Sequence, residues 1–302
     1  MTFLVGTEDE FNKNLAQKLG IELIKTETRM FSDKEICPKT FVSEKRLKGQ
    51  HVIYCSKKTP DENPQNYFMN FLLETARLKK AGAKVTAIMP YMVYARQDKN
   101  FIKKGAFEAC SIETIIKALA PYVSKIITVN AHFKREQGVY KKYARPIHVI
   151  DGFNVFNDEF KDMENCIVIA PDKGMKKRAK QLSKEYGCDF DYAIKHRDKL
   201  TNKTWFEDKK FKLEDKTVII PDDMISSGGT LIQLIEHLTQ YNPKQIYAIA
   251  VHGAFAKGAY EKLAGKCERV LFTDSLENDK ATHSIVDLLA DYIKCNKLVY
   301  KS

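Results

Sequence analysis

Short runs of β-forming residues alternate with helical patterns along most of this chain. The predicted strands are residues 3–5, 51–55, 84–89, 125–129, 166–170, 217–221 and 246–251. The predicted helices are residues 9–19, 65–80, 111–120, 174–186, 229–240, 256–264 and 283–294. Continuous apolar strands that alternate with helices are typical of a parallel sheet covered on both faces. The sequence therefore predicts an α/β fold, with Ser111 as the N-cap of its helix.

The 302 residues suffice for two α/β domains of ordinary size. The segment 141–153 is the best boundary, because each side of it holds enough strand–helix units for one domain. We predict an N-terminal domain over 1–146 and a C-terminal domain over 147–286, with the final segment, 287–302, packing on the first. The two halves match in layout, and no repeat at the level of residues is obvious.

The chain carries a net charge of +11, which favours anionic partners. The basic residues are spread along the sequence, and no block of like charge stands apart. This distribution favours small phosphorylated ligands over nucleic acid.

Seven cysteines are present, with no CxxC pair. The odd number and the spacing argue against a structural zinc site or a full disulfide framework, so we expect reduced thiols in a cytoplasmic protein. The opening residues contain no long apolar core, and no apolar run approaches about 18 residues. We therefore expect no signal peptide and no membrane partner.

Polar residues follow five of the predicted strands, and in open α/β sheets ligands bind at the carboxyl ends of strands. The segments are "PYMVYARQDKN", "NAHF", "PDKG", "PDDMISSGGT" and "HGAF". The fourth combines small residues with the start of a helix, so backbone N–H groups and the helix dipole converge on an anion. The alternative is an Asx turn followed by an N-cap. Neither GxxxxGK[ST] nor GxGxxG is present.

In this segment Ser226, Ser227, Gly228, Gly229 and Thr230 suit a phosphate. Two carboxylates, Asp222 and Asp223, would repel that phosphate, so they suit hydroxyl groups or a cation. A ribose 5-phosphate meets both demands.

"VIIPDDMISSGGTL" resembles the ribose-5-phosphate loop of phosphoribosyltransferases and ribose-phosphate diphosphokinases. Further segments resemble the diphosphokinases alone and follow the same order: "FSDKE", "MPYMVYARQDKNF", "TVNAHFKREQGVY", "IAPDKGMKKRA", "AIKHRDK" and "AVHGAFAKGAYEKL". "PDKG" and "MISSGGT" are closest to the archaeal branch. The resemblance implies two similar domains of the type I phosphoribosyltransferase kind, each a mainly parallel sheet flanked by helices.

The resemblance also implies a reaction, in which the diphosphoryl group of ATP moves to the 1-hydroxyl of ribose 5-phosphate and AMP leaves. Lys195 and Arg197 match the mobile Lys-x-Arg loop and would stabilise charge on the migrating group. His132 and Asp172 match the metal-binding positions and would hold Mg²⁺ directly or through water.

The resemblance places ATP on two segments, one of which reaches a neighbouring subunit and implies a homo-oligomer. The ATP-binding residues it implies are Phe31, Asp33, Glu35, Arg96, Gln97, Asp98, Lys99 and His132. Phe31 would stack on adenine, and Glu35 would accept a hydrogen bond from its amino group. We interpret Tyr91 and Tyr94 as packing residues.

Three positions depart from the family pattern. Lys34 stands where Gly is usual, Asn130 where Asp is usual, and Ser227 where Thr is frequent. The first changes the turn and adds charge beside the adenine site. The second removes a carboxylate that would contact Mg²⁺ through water or orient His132.

Other functions fit the sequence less well. A regulatory relative that binds nucleotide and partner subunits would be expected to lose the Lys-x-Arg loop, the metal-binding His or the acidic pair, and all three are present. A phosphoribosyltransferase needs only the loop near 218–235. A nucleic-acid-binding role rests on net charge alone.

Overall fold

The computed structural model describes residues 1–99, 102–103, 106–107, 109–133, 136–141, 144–197, 204–207, 209–256 and 258–299. At residues 102, 103, 106, 107, 197 and 204 the description covers the backbone only. The chain divides into two compact units, residues 1–152 with 285–302, and residues 153–284.

All the predicted strands and helices are present, and further short elements that the sequence did not predict lie between them. The strands are β1 (Thr2–Gly6), β2 (Glu22–Met30), β3 (Ile36–Thr40), β4 (His51–Cys55), β5 (Lys84–Ile88), β6 (Ile102–Lys103), β7 (Ala106–Phe107), β8 (Lys125–Val129), β9 (Gly138–Tyr140), β10 (Ile147–Ile150), β11 (Cys166–Ala170), β12 (Asp189–Tyr192), β13 (Lys195–Arg197), β14 (Thr204–Phe206), β15 (Thr217–Ile225), β16 (Gln245–Gly253) and β17 (Arg269–Thr273). The helices are α1 (Glu10–Leu19), α2 (Glu44–Leu47), α3 (Pro64–Lys80), α4 (Ser111–Leu119), α5 (Asn157–Phe160), α6 (Lys176–Tyr186), α7 (Gly229–Thr239), α8 (Ala259–Ala264) and α9 (Val286–Cys295), with a 3₁₀ turn at Gly152–Phe156.

The first unit is built on a sheet with the order β3-β2-β1-β4-β5-β8-β10-β9. Its inner pairs are parallel, and the outer strands β3 and β9 are antiparallel to their neighbours. Every residue of β1 and β4 is buried. Buried apolar side chains on both faces explain why these strands read as continuous β-forming runs.

The second unit contains a parallel sheet with the order β12-β11-β15-β16-β17. Its core comes from the strands together with one face of α7, which buries Leu231, Leu234, Ile235 and Leu238. The spacing of these four residues is that of an amphipathic helix. The two-domain α/β architecture is as predicted.

The final helix lies in the first unit. Here α9 packs against α1, and Lys18 forms an ion pair of 2.6 Å with Asp287. The hydroxyl of Tyr292 lies 2.9 Å from Nδ1 of His148, on β10. The predicted domain boundary between residues 146 and 147 stays a prediction. Strand β10 begins at Ile147 and pairs with β8 of the first unit.

The expectation of reduced thiols was wrong for two cysteines. Cys166 and Cys188 form a disulfide, with their Cα atoms 5.0 Å apart. The physical reason is the register of β11 and β12, in which Ile167 pairs with Asp189, so the two cysteines that precede these residues lie side by side. The sequence did not predict β12, and so it gave no sign of this proximity.

Ser111 is also not the N-cap that the sequence predicts. Cys110 occupies that position, and Ser111 is the first residue of α4. Among the residues that the structure describes, no helix has both the length and the apolar character needed to cross a membrane.

Candidate active site

The acidic pair lies within a strand, not in the loop that follows it. β15 extends beyond the predicted residues 217–221 to Ile225, because pairing with β16 continues through Asp222 and Met224. Successive residues of a strand point to opposite faces, and accordingly Asp223 is buried while Asp222 is half-buried. The backbone N–H of Asp223 donates to Oδ1 of Asp222 at 2.9 Å.

The predicted phosphate loop, 226–230, leads directly into α7. Gly228 is the N-cap and has a φ of 70°, in the left-handed region that favours glycine. The helix begins at Gly229, so its free N–H groups open onto the loop. The carbonyl of Ser226 accepts a hydrogen bond from the N–H of Ala256 at 3.0 Å. The loop is thus held between the ends of β15 and β16 with its helix dipole directed at it.

The predicted catalytic Lys195 reaches this loop. It lies on β13, which pairs with β14 in an antiparallel arrangement. Its Nζ donates to Oγ1 of Thr230 at 3.0 Å. A contact across 35 positions in sequence brings an ammonium group to the start of α7. The side chain of Arg197 and residues 198–203 lie outside the described part of the chain.

Asp172 lies at the same edge of the second sheet, after β11. Its Oδ1 accepts a hydrogen bond from the N–H of Met175 at 3.0 Å, just before α6 begins. Burial, the neighbouring Asp223 and the charge of Asp172 together raise the pKa of Asp222 well above its ordinary value. The charges of Asp172 and Asp223 therefore both act on Asp222.

The sequence reading did not single out Lys176, a further cation in this region. Lys176 is the first residue of α6, and its Nζ lies 3.4 Å from the ring centroid of Tyr192, the last residue of β12. Nζ of Lys209 lies 4.4 Å from the same centroid and forms an ion pair with Asp191. Lys176 lies in "IAPDKGMKKRA", a segment that the sequence matched to the diphosphokinases without giving this lysine a role.

The predicted ATP segment of the first unit follows β5. Arg96, Gln97 and Lys99 are exposed and Asp98 is half-buried. Oε1 of Gln97 accepts a hydrogen bond from the hydroxyl of Ser111 at the start of α4. Tyr91 and Tyr94 pack against the core, as predicted.

His132 follows β8, which is adjacent to β5 in the same sheet. Before it, Asn130 is 3% exposed and has a φ of 36°. The side-chain Oδ1 of Asn130 accepts a hydrogen bond from the N–H of Gly152. This residue, which departs from the family's Asp, therefore fixes the backbone beyond β10.

The predicted adenine segment forms the tip of the β2–β3 hairpin. Phe31 is 43% exposed, and the guanidinium carbon of Arg29 lies 4.4 Å from its ring centroid. Asp33 accepts a hydrogen bond from the N–H of Glu35 at 3.1 Å. Lys34 has a φ of 72° and donates its N–H to the carbonyl of Phe31 at 2.9 Å. The turn therefore requires the left-handed backbone that the usual glycine adopts easily.

The two predicted metal-binding residues fall in different units, His132 in the first and Asp172 in the second. Among the described residues, no group of three or more His, Cys, Asp or Glu side chains is arranged to hold a metal ion. Mg²⁺ usually takes one or two protein carboxylates and keeps several waters or substrate oxygens.

Comparison with known proteins agrees with this arrangement. The model of the N-terminal domain of ribose phosphate pyrophosphokinase matches residues 1–119, and the phosphoribosyl transferase domain matches residues 147–288. The ribose-phosphate pyrophosphokinase of Sulfolobus acidocaldarius is 32% identical over 295 residues, which cover 95% of this chain and 97% of that protein. The chain belongs to the ribose-phosphate pyrophosphokinase family. A protein with the same name from Sulfurisphaera tokodaii is 30% identical over 292 residues, which cover 95% of this chain and 97% of the relative.

The fold of this family member also resembles a solved structure. The phosphoribosylpyrophosphate synthetase of Mycobacterium smegmatis superposes with a TM-score of 0.80 at 22% identity, covering 99% of this chain and 98% of that one. A phosphoribosyltransferase would not need the N-terminal domain that matches residues 1–119, so that alternative is set aside.

Proposed function

We propose that this chain is a ribose-phosphate diphosphokinase, which converts ATP and ribose 5-phosphate to 5-phosphoribosyl 1-diphosphate and AMP. The 1-hydroxyl of the sugar attacks the β-phosphorus of ATP, the bond to the α-phosphate oxygen breaks, and AMP leaves. The observation that carries this proposal is the contact between Lys195 and Thr230. This contact places the ammonium group of Lys195, which suits the migrating diphosphoryl group, beside the loop that suits the 5-phosphate.

Different residues of the second unit bind different parts of ribose 5-phosphate. Ser226, Ser227, Gly228, Gly229 and Thr230 bind the 5-phosphate through N–H and hydroxyl groups at the start of α7. Asp222 and Asp223 accept hydrogen bonds from the ribose hydroxyls. Lys195 and Arg197 offset the charge that develops on the moving diphosphoryl group.

The nucleotide is assigned to the first unit. Arg96 and Lys99 bind its phosphates, and Gln97 and Asp98 contact ribose or base. His132 also contacts ATP. Phe31, Asp33 and Glu35 contact adenine from a neighbouring subunit, so the enzyme is a homo-oligomer. Its location in the cytoplasm and its lack of nucleic-acid partners stay predictions.

Mg²⁺ is the expected cofactor, and the carboxylates of the second unit suit it. Asp172 and Asp222 repel each other strongly enough to contribute to the raised pKa of Asp222, and a hydrated divalent cation would offset that repulsion. Asp172 is the metal-binding residue that we propose in the second unit, and His132 is the one that we propose in the first. When bound, Mg²⁺ neutralises charge on the phosphoryl oxygens.

The regulatory alternative is a chain that binds nucleotide and partner subunits without turnover. It is less well supported, because Lys195, His132 and the acidic pair are all present.

The test is AMP formation by purified protein with ATP, Mg²⁺ and ribose 5-phosphate. We expect turnover that requires both substrates. The variant Lys195→Ala should lower kcat by about 100-fold or more, as for loss of one transition-state charge contact. Lys210→Ala, which removes an exposed lysine on the segment after β14, is the matched control and should keep normal activity. AMP formation no greater in the unaltered protein than in Lys195→Ala would refute the proposal.

A further inference from the structure

The strand pair that carries Lys195 stands apart from the main sheet of the second unit. β13 and β14 form a two-stranded sheet of their own, outside the five-stranded order. A two-stranded sheet is only marginally stable by itself in water. The position of Lys195 therefore depends on what this pair packs against, and β14 packs against α7.

The pairing register places Lys195 directly opposite Phe206, so both side chains lie on one face of the strand pair. The next pair along, His196 and Trp205, lies on the other face. Trp205 is 52% exposed, whereas Lys195 and Phe206 are half-buried. The face that carries Lys195 and Phe206 is therefore the one directed at α7.

This face contacts α7 at two points. Nζ of Lys195 donates to Oγ1 of Thr230 in the first turn of the helix. The ring of Phe206 is stacked with that of His237 in the last turn, with centroids 6.1 Å apart and 21° between the ring planes. Thr230 and His237 lie on the same side of α7, two turns or about 10 Å apart along its axis. Contacts so far apart define how the strand pair lies along the helix.

Further aromatic rings hold His237 in place. Its ring meets those of Phe211 and Tyr241 edge to face, with centroids 6.1 and 5.8 Å away. Edge-to-face arrangements are favourable for aromatic rings. The hydroxyl of Tyr241 donates to the carbonyl of Lys209 at 3.0 Å. Phe206 therefore stacks on a ring that is itself held by its neighbours.

We propose that the stack of Phe206 on His237 is an anchor that positions Lys195 at the start of α7. Both are positioning residues, since they act on the migrating diphosphoryl group only through Lys195. A misplacement of about 1 Å can slow a reaction on the order of 100-fold, so loss of the anchor lowers kcat. This inference rests on the proposed role of Lys195 in the reaction.

The first measurement is steady-state AMP formation by Phe206→Ala. We expect kcat to fall by about 10- to 100-fold, while the KM for ribose 5-phosphate stays nearly unchanged, because the loop 226–230 is intact. Phe206→Tyr retains the ring and should restore kcat. His237→Ala removes the ring on the helix side and should lower kcat as Phe206→Ala does. Because the two rings act as one unit, the double variant should be no worse than either single variant.

Trp205 reports on the anchor without turnover. It is the only tryptophan of the chain, and it lies beside Phe206 on β14. Without the anchor the strand pair moves more freely, so the fluorescence anisotropy of Trp205 should fall in Phe206→Ala and in His237→Ala. It should stay unchanged in Phe206→Tyr. The measurement uses the full chain without substrates.

The matched control is Phe68→Ala, which removes a half-buried phenylalanine from α3 of the first unit. It should keep normal kcat and normal anisotropy of Trp205. Three results would each overturn the proposal: unchanged anisotropy in Phe206→Ala, a normal kcat of that variant when the unaltered protein is active, or the same changes in Phe68→Ala. If the unaltered protein forms no AMP, the proposed function fails, and the anisotropy still decides whether the anchor exists.

Discussion

Lys34 occupies a turn whose backbone disfavours it. A φ of 72° costs a residue with a Cβ atom about 1–2 kcal/mol, a cost that glycine avoids. Glycine loses about 0.5–1 kcal/mol through its greater freedom in the unfolded chain. We therefore expect Lys34→Gly to raise the free energy of unfolding by about 0.5 kcal/mol, measured by urea denaturation.

The control for this substitution is Lys34→Ala. It removes the same charge and retains the left-handed cost, so it should not stabilise the protein. Equal stability of the Gly and Ala variants would show that the charge, and not the backbone, decides the effect.

Asp222 connects stability with pH at the proposed sugar site. Its folded pKa is raised above its unfolded value, so the folded state holds the proton more tightly. The free energy of unfolding therefore falls as pH rises from the ordinary carboxyl range through the folded pKa. Asp222→Asn removes this component, so we expect the variant to gain stability relative to the unaltered protein as pH rises.

Urea denaturation at a series of pH values measures this difference. Asp279→Asn, at an exposed carboxylate, is the control and should give a small difference that does not change with pH. A constant difference for Asp222→Asn would contradict the assignment. We also expect Asp222→Asn to impair use of ribose 5-phosphate, because sites that repel charge often trade stability for function.

The elements that the sequence predicts best are the buried parallel strands and the helices between them. Runs such as "HVIYC" and "CIVIA" are buried throughout, and burial on both faces produces their continuous apolar pattern. The hairpins β2–β3 and β13–β14 were not predicted, because charged residues interrupt the apolar pattern of β2 and β13. Their pairing depends on contacts between strands, which a single sequence does not display.

The same limit applies to the candidate site. The sequence indicated the loop 226–230 and Lys195, because the loop has a local pattern and the lysine matches a family motif. It ended β15 too early, since Asp222 and Asp223 resemble turn residues and only pairing with β16 keeps them in a strand. The contact between Lys195 and Thr230 depends on tertiary structure.

The disulfide joins the start of β11 to the residue before β12 and closes the segment that contains α6. A cross-link over 22 positions restricts the unfolded chain, which typically stabilises a protein by about 2–4 kcal/mol. Reduction with a phosphine should lower the free energy of unfolding by this amount, as measured by denaturation with and without reductant.

Two variants separate this bond from the other thiols. Cys166→Ala/Cys188→Ala should be less stable and should not respond to reductant. Cys110→Ala/Cys295→Ala removes two free thiols and should respond like the unaltered protein. A reductant response that persists in the first variant would contradict the bond.

The two units of the chain share one layout, and we propose a different ligand for each. Each unit places polar segments at the carboxyl ends of parallel strands, β5 and β8 in the first and β11, β15 and β16 in the second. Part of the excess positive charge of the chain lies in the proposed nucleotide segment and in the region of Lys195 and Lys176. This distribution suits an enzyme that binds several phosphorylated small molecules.

The adenine segment carries the last prediction, because its residues at the β2–β3 tip are exposed in the single chain. Met30 and Phe31 are 58% and 43% exposed, which fits a tip that completes the site of a neighbouring subunit. Phe31→Ala/Glu35→Ala and Lys195→Ala chains are each expected to be nearly inactive alone. Co-expressed in equal amounts with separate tags, they should recover about one quarter of normal AMP formation, since random assembly gives one site in four an intact tip and an intact lysine from different chains. Co-expression of Lys195→Ala with a chain carrying all three substitutions is the control and should recover nothing. If the first mixture also stays inactive while native mass shows mixed oligomers, the tip serves its own subunit and the proposed sharing of sites is wrong.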